Sequence, residues 1–228
     1  EDQPGVLYLE LECQGSLNSF SSQMWRDLIT QLRAARRDES LRLVVLKGYG
    51  EEAFSSGLAL DELKGLSTDD EYAVFYTLGL EVREAIFALQ VPVIAAVKGY
   101  CVGGGLEISL CCDLIYAADN AKFGLPEIGI GLAPGCGGAI HLPQKLPVNR
   151  AFEMILFSER ISAEEAKEWG LVNKVFPLAS FDEELDKIIA KIIKKAPCAV
   201  KALKEIMSHA NITFDETSAL RSERKFAT

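Results

Sequence analysis

The stretch from Val93 to Gly138 reads VIAAVKGYCVGGGLEISLCCDLIYAADNAKFGLPEIGIGLAPGCGG. Its opening, Val93 to Val97, is an apolar run of the kind that builds a buried strand, and Lys98-Gly99 breaks it. Gly103, Gly104 and Gly105 then open a predicted helix, LEISLCCD, and a second apolar run, Leu114 to Ala118, follows. A loop with Pro126-Glu127 leads to further glycines at 135, 137 and 138. Glycine lets a backbone come close to a ligand, and a helix start leaves N–H groups unpaired. Together they suit an anion, or a carbonyl oxygen that becomes one. Glu107 falls in the first turn after the glycines and Glu127 lies in the later loop, so strand, helix, strand and return bring both carboxylates to one pocket.

The flanks read in the same style. Upstream, GVLYLELE from Gly5 alternates as a strand with one wet face. A helix capped by Asn18 or Ser21 runs to about Arg37, with Met24, Leu28, Ile29 and Leu32 on one stripe. Leu43 to Leu46 is a short strand buried on both faces, and Phe54 to Gly57 is a turn. Ser67 to Asp70 caps a long helix to about Gln90 whose core stripe is Val74, Leu78, Val82, Ile86 and Leu89. Strand, helix, strand predicts an α/β architecture. Downstream, Ser162 with Glu165 and Thr213 with Glu216 match the capping box. Phe181 to Lys195 is amphipathic, and Pro197 starts another helix at the position proline tolerates.

The 228 residues suffice for one sizeable domain. A net charge of −9 argues against nucleic-acid and anionic-membrane partners, and no apolar run nears the ~20 residues of a membrane span. Six cysteines without a CxxC pair, and two histidines, make a zinc site an unfavoured reading; buried thiols in a reducing compartment fit better. Gly103 to Gly105 lacks the dinucleotide spacing, and no Walker A lysine or G-x-S-x-G elbow occurs. Asp61, Glu62, Asp69 and Asp70 read as a solvated face and caps, Asp113 as a tie at its helix end, and His141 as a surface or packing residue.

AAVKGYCVGGGLEISLCCDL followed by AKFGLPEIGIGLAPGCGG resembles the crotonase superfamily of enoyl-CoA hydratases and isomerases. AFSSGLALDEL at Ala53 to Leu63 and SAEEAKEWGLVNKVFP at Ser162 to Pro177 add to the likeness, which runs from about Leu17 to the C-terminus. The resemblance implies an α/β fold, a right-handed spiral of β-β-α turns (1–177) with a helical C-terminal subdomain (178–228), assembled as a homotrimer or hexamer. It implies a cytoplasmic enzyme, or a mitochondrial-matrix one in a eukaryote.

The same resemblance assigns roles. Leu58 and Gly104 become backbone donors of an oxyanion hole, Glu127 the proton donor to C2, and Glu107 the activator of water. Ser56, Gly57, Ala59, Leu60, Gly103, Leu125, Pro134 and Gly135 become substrate contacts. No cofactor or metal is implied; coenzyme A or an acyl carrier arrives as part of the thioester. Two carboxylates on one water suit hydration of a 2-enoyl thioester. The rivals are a double-bond isomerase and a non-catalytic thioester-binding subunit. Departures bear on substrate: Ala59 stands where many members have aspartate, Leu125 where many have glutamine, and Cys13-Gln14-Gly15 replaces the usual basic residue and proline. The family's E-G-x-x-A-F ending does not occur before Thr228.

Overall fold

The computed structural model describes residues 3–13 and 15–210. Two sheets carry it. The first is five-stranded, ordered β1 (Val6–Leu11), β2 (Leu43–Gly48), β4 (Val93–Val97), β6 (Leu114–Ala118), β9 (Lys174–Phe176), with every pair parallel. The second is four-stranded, ordered β3 (Ala53–Ser55), β5 (Tyr100–Val102), β7 (Lys122–Gly124), β8 (Arg160–Ser162), and only β8 runs antiparallel. Each strand of the first sheet from β2 to β6 hands the chain to its neighbour in the second, and the chain then returns through helical structure. This repetition makes the spiral of β-β-α turns.

The helices are α1 (Ser22–Ala35), α2 (Leu60–Gly65), α3 (Asp69–Phe87), α4 (Gly104–Leu110), α5 (Gly138–Lys145), α6 (Val148–Leu156), α7 (Ala163–Glu168), α8 (Phe181–Ile192) and α9 (Pro197–Ala210). Ser21 caps α1 through Met24 N. Asn18 does something else: its Nδ2 donates to the carbonyls of Tyr49 and Ala53, which stitches the loop before α1 to the start of β3. The capping boxes of Thr68–Glu71 and Ser162–Glu165 both form. The expected box at Thr213 and Glu216 lies outside the described residues.

Two expectations need correction. The turn expected from Phe54 begins inside a strand, because Ala53 and Ser55 pair with β5. The stripe holds at Val82, Ile86 and, just past α3, Leu89, all buried, and fails at its start: Val74 is exposed, while Phe75, Tyr76 and Arg83, outside the stripe, are buried. Hydrophobicity suggests that a valine outranks a tyrosine or an arginine for the inner face. Here the inner face borders a polar pocket, and side chains with polar ends fit it.

The first sheet separates two apolar layers. One face joins Leu9, Leu46, Ala95 and Ile115 to the main core beneath α1, α3 and α4. The other, formed by Leu43, Val45, Ile94 and Tyr116, is covered by Phe181, Leu185, Ile188 and Ile189 of α8. Among the described residues, no helix is long and apolar enough to cross a membrane.

Asp113 ties these parts together more widely than a helix end requires. Its Oδ2 accepts from Val93 N at the start of β4 (2.7 Å) and from Lys204 Nζ on α9 (2.7 Å). Asp113→Ala leaves a buried strand N–H without its acceptor, a loss of roughly 1–3 kcal/mol. Urea unfolding is expected to show a lower midpoint with an unchanged slope; an unchanged midpoint would refute the tie.

Candidate active site

The site forms where β3 and β5 end side by side. Gly103 precedes α4 with φ 53° and ψ −131°, a conformation open to glycine and strained for other residues. It turns the chain so that Gly104 starts the helix facing Gly57. A β-carbon on Gly57 would stand 3.1 Å from Gly104 N, so the two backbones are in direct apposition. Phe20 fixes the outer edge. Its N–H donates to Gly57 O (2.7 Å), and its carbonyl accepts from Ala59 N (2.9 Å). These bonds use the backbone on either side of Leu58 and leave Leu58 N–H on the opposite side. Neither Leu58 N–H nor Gly104 N–H has a hydrogen-bond partner among the described residues. Phe20 itself is held by stacking on Trp25 at 3.9 Å between ring centroids.

Glu107 is 1% exposed. Its Oε1 accepts from Cys136 N (2.8 Å) and Gly138 N (2.9 Å). Burial lifts its carboxyl above the ordinary carboxylate value, and those two N–H groups offset part of the rise. It therefore does more than complement the dipole of its helix. Glu127 opens a 3-10 turn, Glu127–Ile130, that Ser158 Oγ anchors by accepting from Gly129 N (2.9 Å). Its Oε1 would lie 3.2 Å from a β-carbon on Gly103, and its Oε2 is sealed from solvent. Glu127 thus borders the glycine turn at Gly103, and Glu107 projects from the helix that the turn starts.

The other residues singled out in the sequence surround this turn at different depths. Ser56 binds the preceding loop, its N–H to Leu17 O and its Oγ to Ser16 O (both 2.9 Å). Ala59 precedes α2, and Leu60, its first residue, is exposed. Pro134 and Gly135 are buried, and Gly135 lies flat against the Tyr76 ring, where a β-carbon would come within 2.6 Å of Cδ1. Leu125 is fully buried in the core, against Gly138, so it braces the loop that holds Glu107. Glu62 Oε2 accepts from Ser22 N (2.9 Å), joining α2 to α1. His141 is buried: its Nε2 lies 3.5 Å from Arg83 Nη1, and its ring meets Phe87 edge-on. That is packing, not a surface position.

Sequence reading passed over Tyr72, Tyr76 and Arg83. Tyr76 clusters with Cys136, Leu58 and Tyr72. Burial first, then Cys136 and the two glutamates, push its phenol up to about 12. The signal was present as Tyr-x3-Tyr on one helix face. Among the described residues, no group of three or more His, Cys, Asp or Glu is placed to hold a metal.

A family model described as enoyl-CoA hydratase/isomerase matches residues 1–227. The carnitinyl-CoA dehydratase of Shigella flexneri is 41% identical over 172 residues, 75% of this chain and 65% of that protein. The chain therefore spans slightly under two thirds of that relative. The short-chain-enoyl-CoA hydratase of Clostridium acetobutylicum is 35% identical over 224 residues, 98% of this chain and 85% of its own. A crystal structure of enoyl-CoA hydratase from Bacillus anthracis superposes with a TM-score of 0.89 at 36% identity, covering 99% of this chain and 86% of the other.

The raised value of Glu107 has a signed consequence for stability. The fold prefers the neutral acid, so the contribution of this group is whole below the ordinary value of 4.5 and is lost as pH rises through the raised folded value. Glu107→Gln keeps an acceptor for Cys136 and Gly138 and cannot ionise. Its unfolding free energy relative to wild type is expected to rise as pH goes from about 4 to about 8. A difference that stays flat or falls would contradict the assigned direction.

Proposed function

The chain belongs to the enoyl-CoA hydratase/isomerase family, and from that premise we propose that it is a hydro-lyase adding water to a 2-enoyl-CoA thioester, or removing it from the 3-hydroxyacyl product. The observation that carries this reading is the pair of glutamates at the glycine turn, Glu127 beside Gly103 and Glu107 in the helix it starts. A family member that only shifts a double bond needs one proton shuttle; hydration uses one group for the water and one for C2.

The chemistry follows from charge. The thioester oxygen lies between the N–H groups of Leu58 and Gly104. Water attacks C3 as Glu107 takes one of its protons. The C2–C3 π pair moves toward the thioester, and the developing enolate oxygen is held by those two donors. Collapse of the enolate takes a proton from Glu127 onto C2, completing addition of H and OH. Burial raises the Glu107 carboxyl above its ordinary value, which strengthens it as a base that must accept a proton and return it. Substrate contacts by Ser56, Gly57, Ala59, Leu60, Gly103, Leu125, Pro134 and Gly135 belong to the same reading, as does coenzyme A supplied by the substrate with no resident cofactor. The names of the two curated relatives support both directions of the reaction. The free cysteines 101, 111, 112 and 136 are buried and suit a cytoplasmic, reducing setting.

We also propose a homotrimer or hexamer. Val148, Phe152 and Phe157 on and just after α6, with Ile130 of the Glu127 turn, are each more than half exposed, an apolar face that association would cover. Sedimentation is expected to give a multiple of three, and a stable monomer at micromolar concentration would overturn the assembly.

Crotonyl-CoA incubated with the protein is expected to lose its conjugated-thioester absorbance and gain the mass of one water. Glu107→Gln and Glu127→Gln should each cut kcat by at least about 10²-fold. An unchanged mass with a moved double bond in a 3-enoyl-CoA would select the isomerase. Saturable binding without turnover would select an accessory subunit.

A further inference from the structure

Tyr76 is 6% exposed, yet its hydroxyl forms no hydrogen bond to any described residue. Its hydroxyl oxygen is not one of the polar atoms sealed in the interior, so the phenol end opens onto the pocket while the ring is buried. The ring cannot swing away easily: its edge lies on Gly135, and Cys136, Leu58 and Tyr72 pack around it. The position is therefore held by packing, with its polar end at the pocket.

Its surroundings say what that is. Leu58 supplies a backbone donor on one side, and Cys136 carries the N–H that holds Glu107. Tyr76 packs on Gly135 and Cys136, the loop that holds Glu107, and on Leu58, whose neighbour Gly57 lies against Gly103 beside Glu127, so it borders the space between the two carboxylates. A water poised there has four hydrogen-bonding positions. Two hydrogens are met by carboxylate oxygens and one lone pair is directed at C3. The second lone pair requires a donor: Glu107 is ionised as the base and the one proton of Glu127 is committed to C2, so neither carboxyl provides it. Resting on the hydratase reading above, we infer that Tyr76 is a catalytic residue whose hydroxyl donates a hydrogen bond to the oxygen added at C3, first as water and then as the 3-hydroxyl of the product. Its phenol stays protonated at neutral pH, as a donor must. Tyr72, one helical turn earlier, contributes wall and no bond to this oxygen.

The test uses two unreactive thioesters that differ at C3. Acetoacetyl-CoA carries an oxygen there, and butyryl-CoA does not. Calorimetric Kd values are measured at pH 7 for wild type, Tyr76→Phe and Tyr72→Phe, with thermal midpoints recorded alongside. Tyr76→Phe is expected to weaken acetoacetyl-CoA about five- to tenfold, the size of one hydrogen bond, and to leave butyryl-CoA within twofold. It should also lower kcat for crotonyl-CoA about tenfold with its thermal midpoint held. Tyr72→Phe should leave the ratio of the two Kd values unchanged. Equal weakening of both ligands, no weakening of either, or a selective loss in Tyr72→Phe instead would overturn the inference. If wild type binds neither thioester, the hydratase reading falls, and this inference falls with it. If wild type binds both and Tyr76→Phe shows no selectivity, only this inference falls.

Discussion

A carboxylate inside a protein core has to be answered by donors, and Glu107 is answered by the N–H groups of Cys136 and Gly138. Withdrawing such a group from water costs several kcal/mol unless hydrogen bonds replace the lost hydration. Both donors come from one loop, so the carboxylate fixes that loop as much as the loop fixes the carboxylate. Leu125 supports Gly138 from below. Gly79 of α3 lies against the Cys136 sulfur from above, close enough that a side chain there would displace it. The start of α4, the second glycine cluster and the middle of α3 are therefore parts of one arrangement, with the carboxylate at its centre.

Much of this was legible in the chain. The strands at Val93 and Leu114, the helix between them and the two glutamates all follow from apolar runs and glycine punctuation. The resemblance of four separated motifs supplied the spiral that periodicity could not distinguish from a doubly wound sheet. The second sheet was not legible, because β3, β5 and β7 are three residues each and too short to show alternation. Their pairing is set by the strands that feed them. The inner face of α3 was legible at Val82 and Ile86, both buried, and misjudged at its start: hydrophobicity ranks Val74 above Tyr76 and Arg83, yet only the tyrosine and arginine have the length and polar ends that this boundary needs. His141 was read as a surface or packing residue, and only the packing half holds, since its burial depends on Arg83 and Phe87 from a distant helix.

The two faces of the five-stranded sheet divide the work. The inner face borders the core from which the glycine turns and glutamates project. The outer face carries no part of the site and belongs to α8. Substitutions on α8 act on the carboxylates only through the stability of the sheet, and loop changes near residues 134–138 act on them directly.

That outer face also has a history within each molecule. Every strand of it precedes α8 in the chain, so during synthesis Leu43, Val45, Ile94 and Tyr116 leave the ribosome well before Phe181 and Leu185 exist to cover them. A nascent sheet with a bare apolar surface invites contact with other chains and with chaperones. The helix that looks like a late addition to a finished enzyme thus decides how long each new copy must be shielded from its neighbours.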